Sequence, residues 1–235
     1  MALAGIALGE EALALAGEAV MLAERAGPAL EFRARVLRVE LIYAANTRDL
    51  REAERDLRRA LAIAHATSSL WQQIHIEGDL AVIEAELGQL GAAIERLHRL
   101  AADAEARGMR GQLRMLLHNL STCLIRAGRA AESAEAARRT ADLAAEAGDP
   151  KLHGTALSLR AYALLCTGDL EEALTSASEA DWIQRERDDP MRAQTLLRRA
   201  AILDALDRTD EALADALEAQ ELARLHDEAG FFVTG

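Results

Sequence analysis

The chain has 235 residues and carries a formal charge of −12, with an isoelectric point near 5.0. That balance excludes nucleic acid as the expected partner, because a phosphate backbone is met by a basic face. Apolar residues make up 51% but aromatics only 3%, so Ala and Leu carry the apolar surface. Together with Glu and Arg these are the residues that lose least rotamer freedom in a helix, and the chain is predicted to be all-α.

The N-terminal stretch MALAGIALGEEALALAG lacks a basic start and holds glutamates inside its apolar run, so it does not read as a signal peptide. No apolar run reaches the ~18 residues that a membrane span needs. Two cysteines, Cys123 and Cys166, build no disulfide framework and are expected to be free, buried thiols in a cytoplasmic protein. Lys151 is the sole lysine among many arginines, a bias that points to a GC-rich, bacterial genome.

Taken in chain order, small residues recur at Ala12, Ala53, Ala93, Ser133, Ala173 and Ala212, with spacings of 41, 40, 40, 40 and 39. Seven residues beyond each lie Ala19, Ala60, Leu100, Thr140, Ala180 and Ala219. Eleven beyond lie Ala23, Ala64, Ala104, Ala144, Gln184 and Ala223. Offsets of seven and eleven share one stripe of a 3.6-residue helix, here called helix B of each unit. Gly88, Gly128 and Gly168 precede three of these helices, where a hairpin must reverse and glycine tolerates positive φ. Gly27, Gly108 and Gly148 mark the second turn, with Pro28, Pro150 and Pro190 close by as helix starts.

Helix A precedes each B helix. Leu41, Ala81, Ser121, Ala161 and Ala201 occupy its central, mostly small slot, and Leu37, Leu117, Leu157 and Leu197 lie one turn earlier, with Glu77 as the exception. The 39-residue spacing is placed in the turn DRTDEAL. The units are predicted near 1–28, 29–69, 70–109, 110–150, 151–190 and 191–227, with a tail at 228–235, in one domain over 1–235. The first B helix has too few residues before it for a helix A, which leaves five A/B pairs or nearly so.

The segments NLSTCLIRAGRAAESAEAARRTADLA and LRAYALLCTGDLEEALTSASEA resemble the tetratricopeptide repeat, and the resemblance runs from about Ala7 to Leu225. It implies a right-handed superhelical α-solenoid of antiparallel helix pairs, whose A helices line a concave groove. The units exceed the usual repeat by six residues, and lengthened repeats of this kind are similar to those of bacterial transcription activators and signalling ATPases. The ends carry no evident polar cap, and Phe231 and Phe232 follow the last B helix, so the expectation is either self-association through the ends or a segment of a longer chain.

Nothing in the sequence supplies catalytic chemistry. The six histidines form no metal-ligand spacing, and no phosphate loop, dinucleotide fingerprint or nucleophile elbow occurs, so no cofactor, metal or enzyme activity is expected. Glu171-Glu172 and Asp188-Asp189 fall at turns and helix starts, where they complement helix dipoles. Trp71 and Trp182 are expected to pack between neighbouring repeats.

The groove implied by the resemblance would present Arg35, Arg38, His75, Asp79, His118, Asn119, Arg198 and Arg199, beside Ile42, Val82, Thr122, Tyr162 and Ile202. Cationic and amide donors over an apolar floor suit an acidic peptide or a carboxylate ligand, and ordinary solvated helix polarity is the competing reading. Two functional classes follow. One is a protein- or peptide-binding scaffold with no nucleic-acid or membrane partner; the other is an effector-sensing module of a larger bacterial regulator or signalling ATPase.

Overall fold

The computed structural model describes residues 2–44 and 49–228, with side chains placed for 11–42 and 49–225. Among the described residues there are eleven α-helices and no strand. The B-type helices are α1 (Ala2–Ala26), α3 (Leu50–Ala66), α5 (Leu90–Ala106), α7 (Ala130–Glu146), α9 (Leu170–Arg185) and α11 (Thr209–Glu228). Between them run the A-type helices α2 (Pro28–Ala44), α4 (Leu70–Glu86), α6 (Arg110–Arg126), α8 (Pro150–Thr167) and α10 (Arg192–Ala205). Five A/B pairs therefore follow a leading B helix. The repeat register treats 1–235 as one domain, whereas the contacts divide the chain into two compact units, the first running to Ala104 and the second starting at Glu105.

The turns follow the glycine phase. Gly88, Gly128 and Gly168 all adopt positive φ (86°, 74° and 87°), which only a residue without Cβ enters freely. Asp207 holds that phase without glycine at φ 60°, and Ser68 and Asp188, at φ 55° and 48°, hold the phase of Gly108 and Gly148 at the second turn. Asp149 caps α8 by accepting from Leu152 N at 3.1 Å, and Pro150 occupies the first turn. Asp49 caps α3 in the same way through Glu52 N, at 3.0 Å.

The small-residue stripe is the inner contact of each pair. Ala53, Ala93, Ser133 and Ala173 are fully buried, as are the helix A residues Ala81, Ser121 and Ala161. Between α6 and α7 the two serines bond reciprocally: Ser121 Oγ donates to Ser133 O at 3.0 Å and Ser133 Oγ to Ser121 O at 2.9 Å. A hydroxyl is admitted at this slot only because the opposite backbone carbonyl lies close enough to accept it. Ala19 and Ala223, on the first and last helices, are exposed because a stacked repeat buries a face only against its neighbours. Leu15 and Leu22 on α1, and Leu213 and Leu217 on α11, are exposed for the same reason. Phe231 and Phe232 lie outside the described residues.

The structure corrects the register of the last pair. Asp207 stands five residues before Ala212, as Gly168 stands five before Ala173, so the turn is intact. The missing residue lies earlier. Helix α10 has only 14 residues and starts two positions after Pro190. In consequence Leu196 is fully buried and Leu197 is 55% exposed, and the small slot is filled by buried Ala200, with Ala201 exposed. In the first pair Leu37 is also exposed, because Gly27 and Ser68 stand 41 residues apart and shift the buried set to Val39 and Ile42.

Two other sequence expectations are overturned. Trp71 and Trp182 are 52% and 65% exposed, since neither slot has a helix lying over it. Cys123 is buried, but Cys166 is exposed, one turn beyond Tyr162 on the outward stripe of α8.

The register has a direct test. Ala200→Leu forces extra volume into a filled contact and is expected to destabilise by about 1–3 kcal/mol. Ala201→Leu, one residue away on the exposed side, should stay within about 0.5 kcal/mol of the parent. Urea unfolding of both variants decides it; the reverse order would restore the uncorrected register.

Candidate functional site

The outward stripe of each A helix is where candidate ligand contacts gather. In the first unit, Arg35 and Arg38 stand on α2 facing α3. Arg38 Nε donates to Asp56 Oδ2 at 2.5 Å and its Nη2 to Oδ1 at 2.6 Å, while Arg35 Nη1 reaches Oδ1 at 2.7 Å. Asp56 is wholly buried, so two guanidinium groups neutralise one carboxylate between the helices. Arg35 also donates to Glu31 and Glu24, and Arg59 grips Glu31 through two further bonds. Arg59, first, and Arg35 hold the Glu31 carboxyl below its ordinary range against the effect of burial. The Asp56 carboxylate raises the pKa of Arg38 in turn.

Further along this unit, Trp71 stacks on His75 with ring centroids 5.2 Å apart, and His75 Nε2 lies 3.7 Å from Asp79 Oδ2. Burial pushes the Asp79 carboxyl up, opposed by His75. These residues form one exposed stripe on α4.

In the second unit the two neighbouring arginines of α10 part company. Arg199 turns inward: it donates to both oxygens of Asp215 at 2.6 and 2.7 Å and to Asp181 at 2.8 Å, and these pairs raise its pKa. Asp181, also buried, is shared with Arg192 and Arg185. Arg198 turns to the outward stripe. Its Nη1 donates to Ser158 Oγ at 2.9 Å, and its guanidinium carbon sits 5.6 Å from the centroid of the Tyr162 ring. Among the described residues no carboxylate lies within ion-pair distance of it. Burial lowers its pKa, the opposite of the direction for Arg199.

Ser158 is buried and also takes a 2.8 Å bond from Thr195 Oγ1, so the hydroxyl that positions Arg198 is itself held. His118, on α6, completes the cluster. Its Nδ1 is buried without a hydrogen-bond partner. Burial and then the charge of Arg198 keep its pKa below the ordinary 6.5. Asn119 and Thr122 lie beside it on the same partly exposed stripe, and Met115, Tyr162 and Leu197 add apolar surface that is 47%, 40% and 55% exposed.

Of the eight residues named from the sequence, the structure leaves His118 and Asn119 on the outward stripe of α6 and Arg198 on that of α10, both helices adjoining α8. His75 and Asp79 form a second set in the other unit. Arg35, Arg38 and Arg199 are spent on interhelical ion pairs, because their slots face buried carboxylates of the adjoining B helices. The companion floor is split likewise: Val82, Thr122 and Tyr162 are at least partly open, whereas Ile42 and Ile202 are buried. Ser158 escaped the sequence reading, since the shortened α10 hides its register match to Leu197. Gly154 did too. A Cβ there would fall 3.2 Å from Gln184 Cγ, so this glycine makes room for a long side chain in the slot that Ala64, Ala104 and Ala144 fill in other units.

A helical repeat in which ion pairs join the members of a pair, while Arg198 and several apolar side chains face outward, defines a fold class: the tetratricopeptide-like solenoid. The solved structures agree on the fold. The chain is similar to BtubC (BKLC) from P. vanneervenii, with a TM-score of 0.76 at 16% identity over 93% of this chain and 92% of that one. It is similar to PlcR of Bacillus thuringiensis, solved in complex with the peptide PapR7 and DNA (TM-score 0.67, 16% identity, 80% of this chain and 67% of that one). A third likeness is to a signal transduction ATPase with a tetratricopeptide repeat sensor from Pyrococcus horikoshii (TM-score 0.68, 17% identity, 96% of this chain but 38% of that one). No protein-family model and no curated protein sequence matches the chain. The fold is tetratricopeptide-like.

Two measurements probe this geometry. Asp56→Ala removes the buried carboxylate that two guanidinium groups share, leaving Arg35 on Glu24 and Glu31 and Arg38 on Glu52, and should destabilise by about 1–3 kcal/mol in urea unfolding, against little change for an exposed pair such as Arg129→Ala. The second concerns His118, whose folded pKa lies below 6.5. Between those two values the unfolded chain binds more protons, so His118 contributes a loss of stability as pH falls below about 6.5. His118→Gln is expected to flatten that acid limb, and Arg198→Gln to move the imidazole titration, followed by NMR, upward.

Proposed function

We propose that this chain is a non-enzymatic module that binds a protein or peptide along the outward stripe of its A helices, the best-furnished part being α6, α8 and α10. The observation that carries this reading is the division of labour among the arginines and apolar residues. Arg199 stabilises the helix pair, whereas Arg198, Met115, Tyr162 and Leu197 are left on the surface, where they would contact a ligand. Aromatic, Met and Arg side chains are the types that carry binding energy when a partner dries them. A peptide complex among the similar folds supports the class of ligand. Among the described residues no helix is long and apolar enough to cross a membrane; we read the module as cytoplasmic, with neither lipid nor nucleic acid as partner.

The second reading, an effector-sensing part of a larger regulator, is supported by the likeness to the sensor of the signal transduction ATPase, of which this chain spans 38%. The two differ in ligand size. A peptide long enough to span successive A helices needs Met115, Tyr162 and Leu197 together, whereas a small effector needs one cluster.

The test uses the exposed thiol one turn beyond Tyr162. An environment-sensitive dye on Cys166, with Cys123 protected by burial, is titrated with hits from a peptide array. Tyr162→Ala combined with Leu197→Ala is expected to weaken those hits by about 2 kcal/mol. Trp182→Ala, on α9, should leave them unchanged. Peptides that bind the double variant as well as the parent, or that respond only to Trp182→Ala, would sink the proposal.

A further inference from the structure

Resting on that reading, we infer that Arg198, Ser158, Tyr162 and His118 form a subsite for one carboxylate of the ligand. Four observations converge on it, the first being that Arg198 has no anionic partner, although arginines elsewhere in the unit do: Arg160 with Glu172, Arg192 with Asp181 and Glu218, Arg199 with Asp181 and Asp215. A partly buried cation without a counter-ion is a standing loss that an incoming anion removes. The side chain is also held ready, by the Ser158 hydroxyl on one nitrogen and the Tyr162 face beneath it, so little rotamer freedom remains to be lost on binding. One guanidinium nitrogen bonds Ser158, and the planar fork leaves other N–H groups to meet a carboxylate.

The buried Nδ1 of His118 is the fourth. It has no partner, and the ring senses the Arg198 charge. A carboxylate on Arg198 cancels that charge, so the His118 ring reports on the occupancy of the subsite. The charged and titratable side chains about this position are Arg198 from α10, Tyr162 from α8 and, one turn before His118 on α6 itself, Arg114, which lies 3.6 Å from Asp149, with Asn119 as the neutral neighbour. The carboxylate could come from an Asp or Glu side chain or from a peptide C-terminus; the chemistry recognised is the same.

Three short probes separate these sources: acetyl-Leu-Glu-Leu-amide, acetyl-Leu-Gln-Leu-amide and acetyl-Leu-Gln-Leu with a free C-terminus. Binding to the intact chain is followed by the side-chain NMR signals of Arg198 Nε–H and the His118 ring. One or both acids should bind about tenfold or more tightly than the Gln amide, weaken as salt rises, and shift both signals. That preference is expected to vanish in Arg198→Gln. In Arg198→Lys, which keeps the charge but not the fork, it should fall to a fraction, with helix content by circular dichroism confirming that both variants fold. Equal binding of acids and amide, an acid preference that survives Arg198→Gln, or no shift of either signal up to the solubility of the acids overturns the subsite. If array peptides still bind through Tyr162 and Leu197 in that event, the peptide-binding reading stands without it. If the acids bind at Arg198 while no array peptide does, the subsite stands and the peptide reading fails.

Discussion

The contact on which the fold rests is the approach of one small side chain to another at the middle of each helix pair. Ala161 and Ala173 share one core cluster, and Ser121 and Ser133 close the same gap by bonding each other's carbonyls. With so little side chain between them, two helix backbones come close enough for larger residues on either side to interlock. Leu57, Ile76 and Ile83 do this in the first unit, and Leu196 and Ile202 in the second, all fully buried. Dense packing at a fixed slot explains why the period is kept so closely, and why a one-residue shortening in α10 is absorbed at its start and not at the contact. Helix pairs add to one another by repeating the contact, which leaves Ala19 and Ala223 bare where the repetition stops.

Once the helices are that close, charge cannot be placed freely between them. Asp56, Asp181 and Asp215 are buried, and each is met by one or more arginines from the neighbouring A helix. Such networks hold orientation more than they add net stability, since removing either partner strands a charge. They also sort the arginines into those that serve the pair and those that do not. Arg198 and Arg199 are adjacent in the chain but about 100° apart around the helix, and that angle alone assigns one to the fold and the other to the surface.

The outward stripe inherits its polarity from the same geometry. Thr122, Tyr162 and Leu197 are open because nothing in their own unit covers that side of the A helices. His118 lies between the two regimes, near enough to the surface for a ligand to alter its surroundings and buried enough to leave its Nδ1 unsatisfied. A fold that keeps its own carboxylates inside on the arginines of the pair can present a lone guanidinium outside without internal competition. That is the physical link between how this protein is held together and what it would bind.

Much of this was legible in the sequence, in a way that particular residues explain. The alanine stripe, the positive-φ glycines at 88, 128 and 168 and the prolines at helix starts are local signals, dictated by backbone sterics, and they determined the helix pairs and their period. The same signals failed at Leu197, Ala201 and Leu37, because a residue lost or gained inside a helix leaves no turn residue to mark it. Nor did they tell Arg198 from Arg199, or warn that Trp71, Trp182 and Cys166 are exposed. Ion pairing between helices joins side chains far apart in the chain, 16 residues in Arg199–Asp215 and 28 in Arg59–Glu31, and depends on rotation about two helix axes at once. Local pattern determined where the helices run; which charges are consumed between them, and which are left outside, only the packed tertiary structure decided.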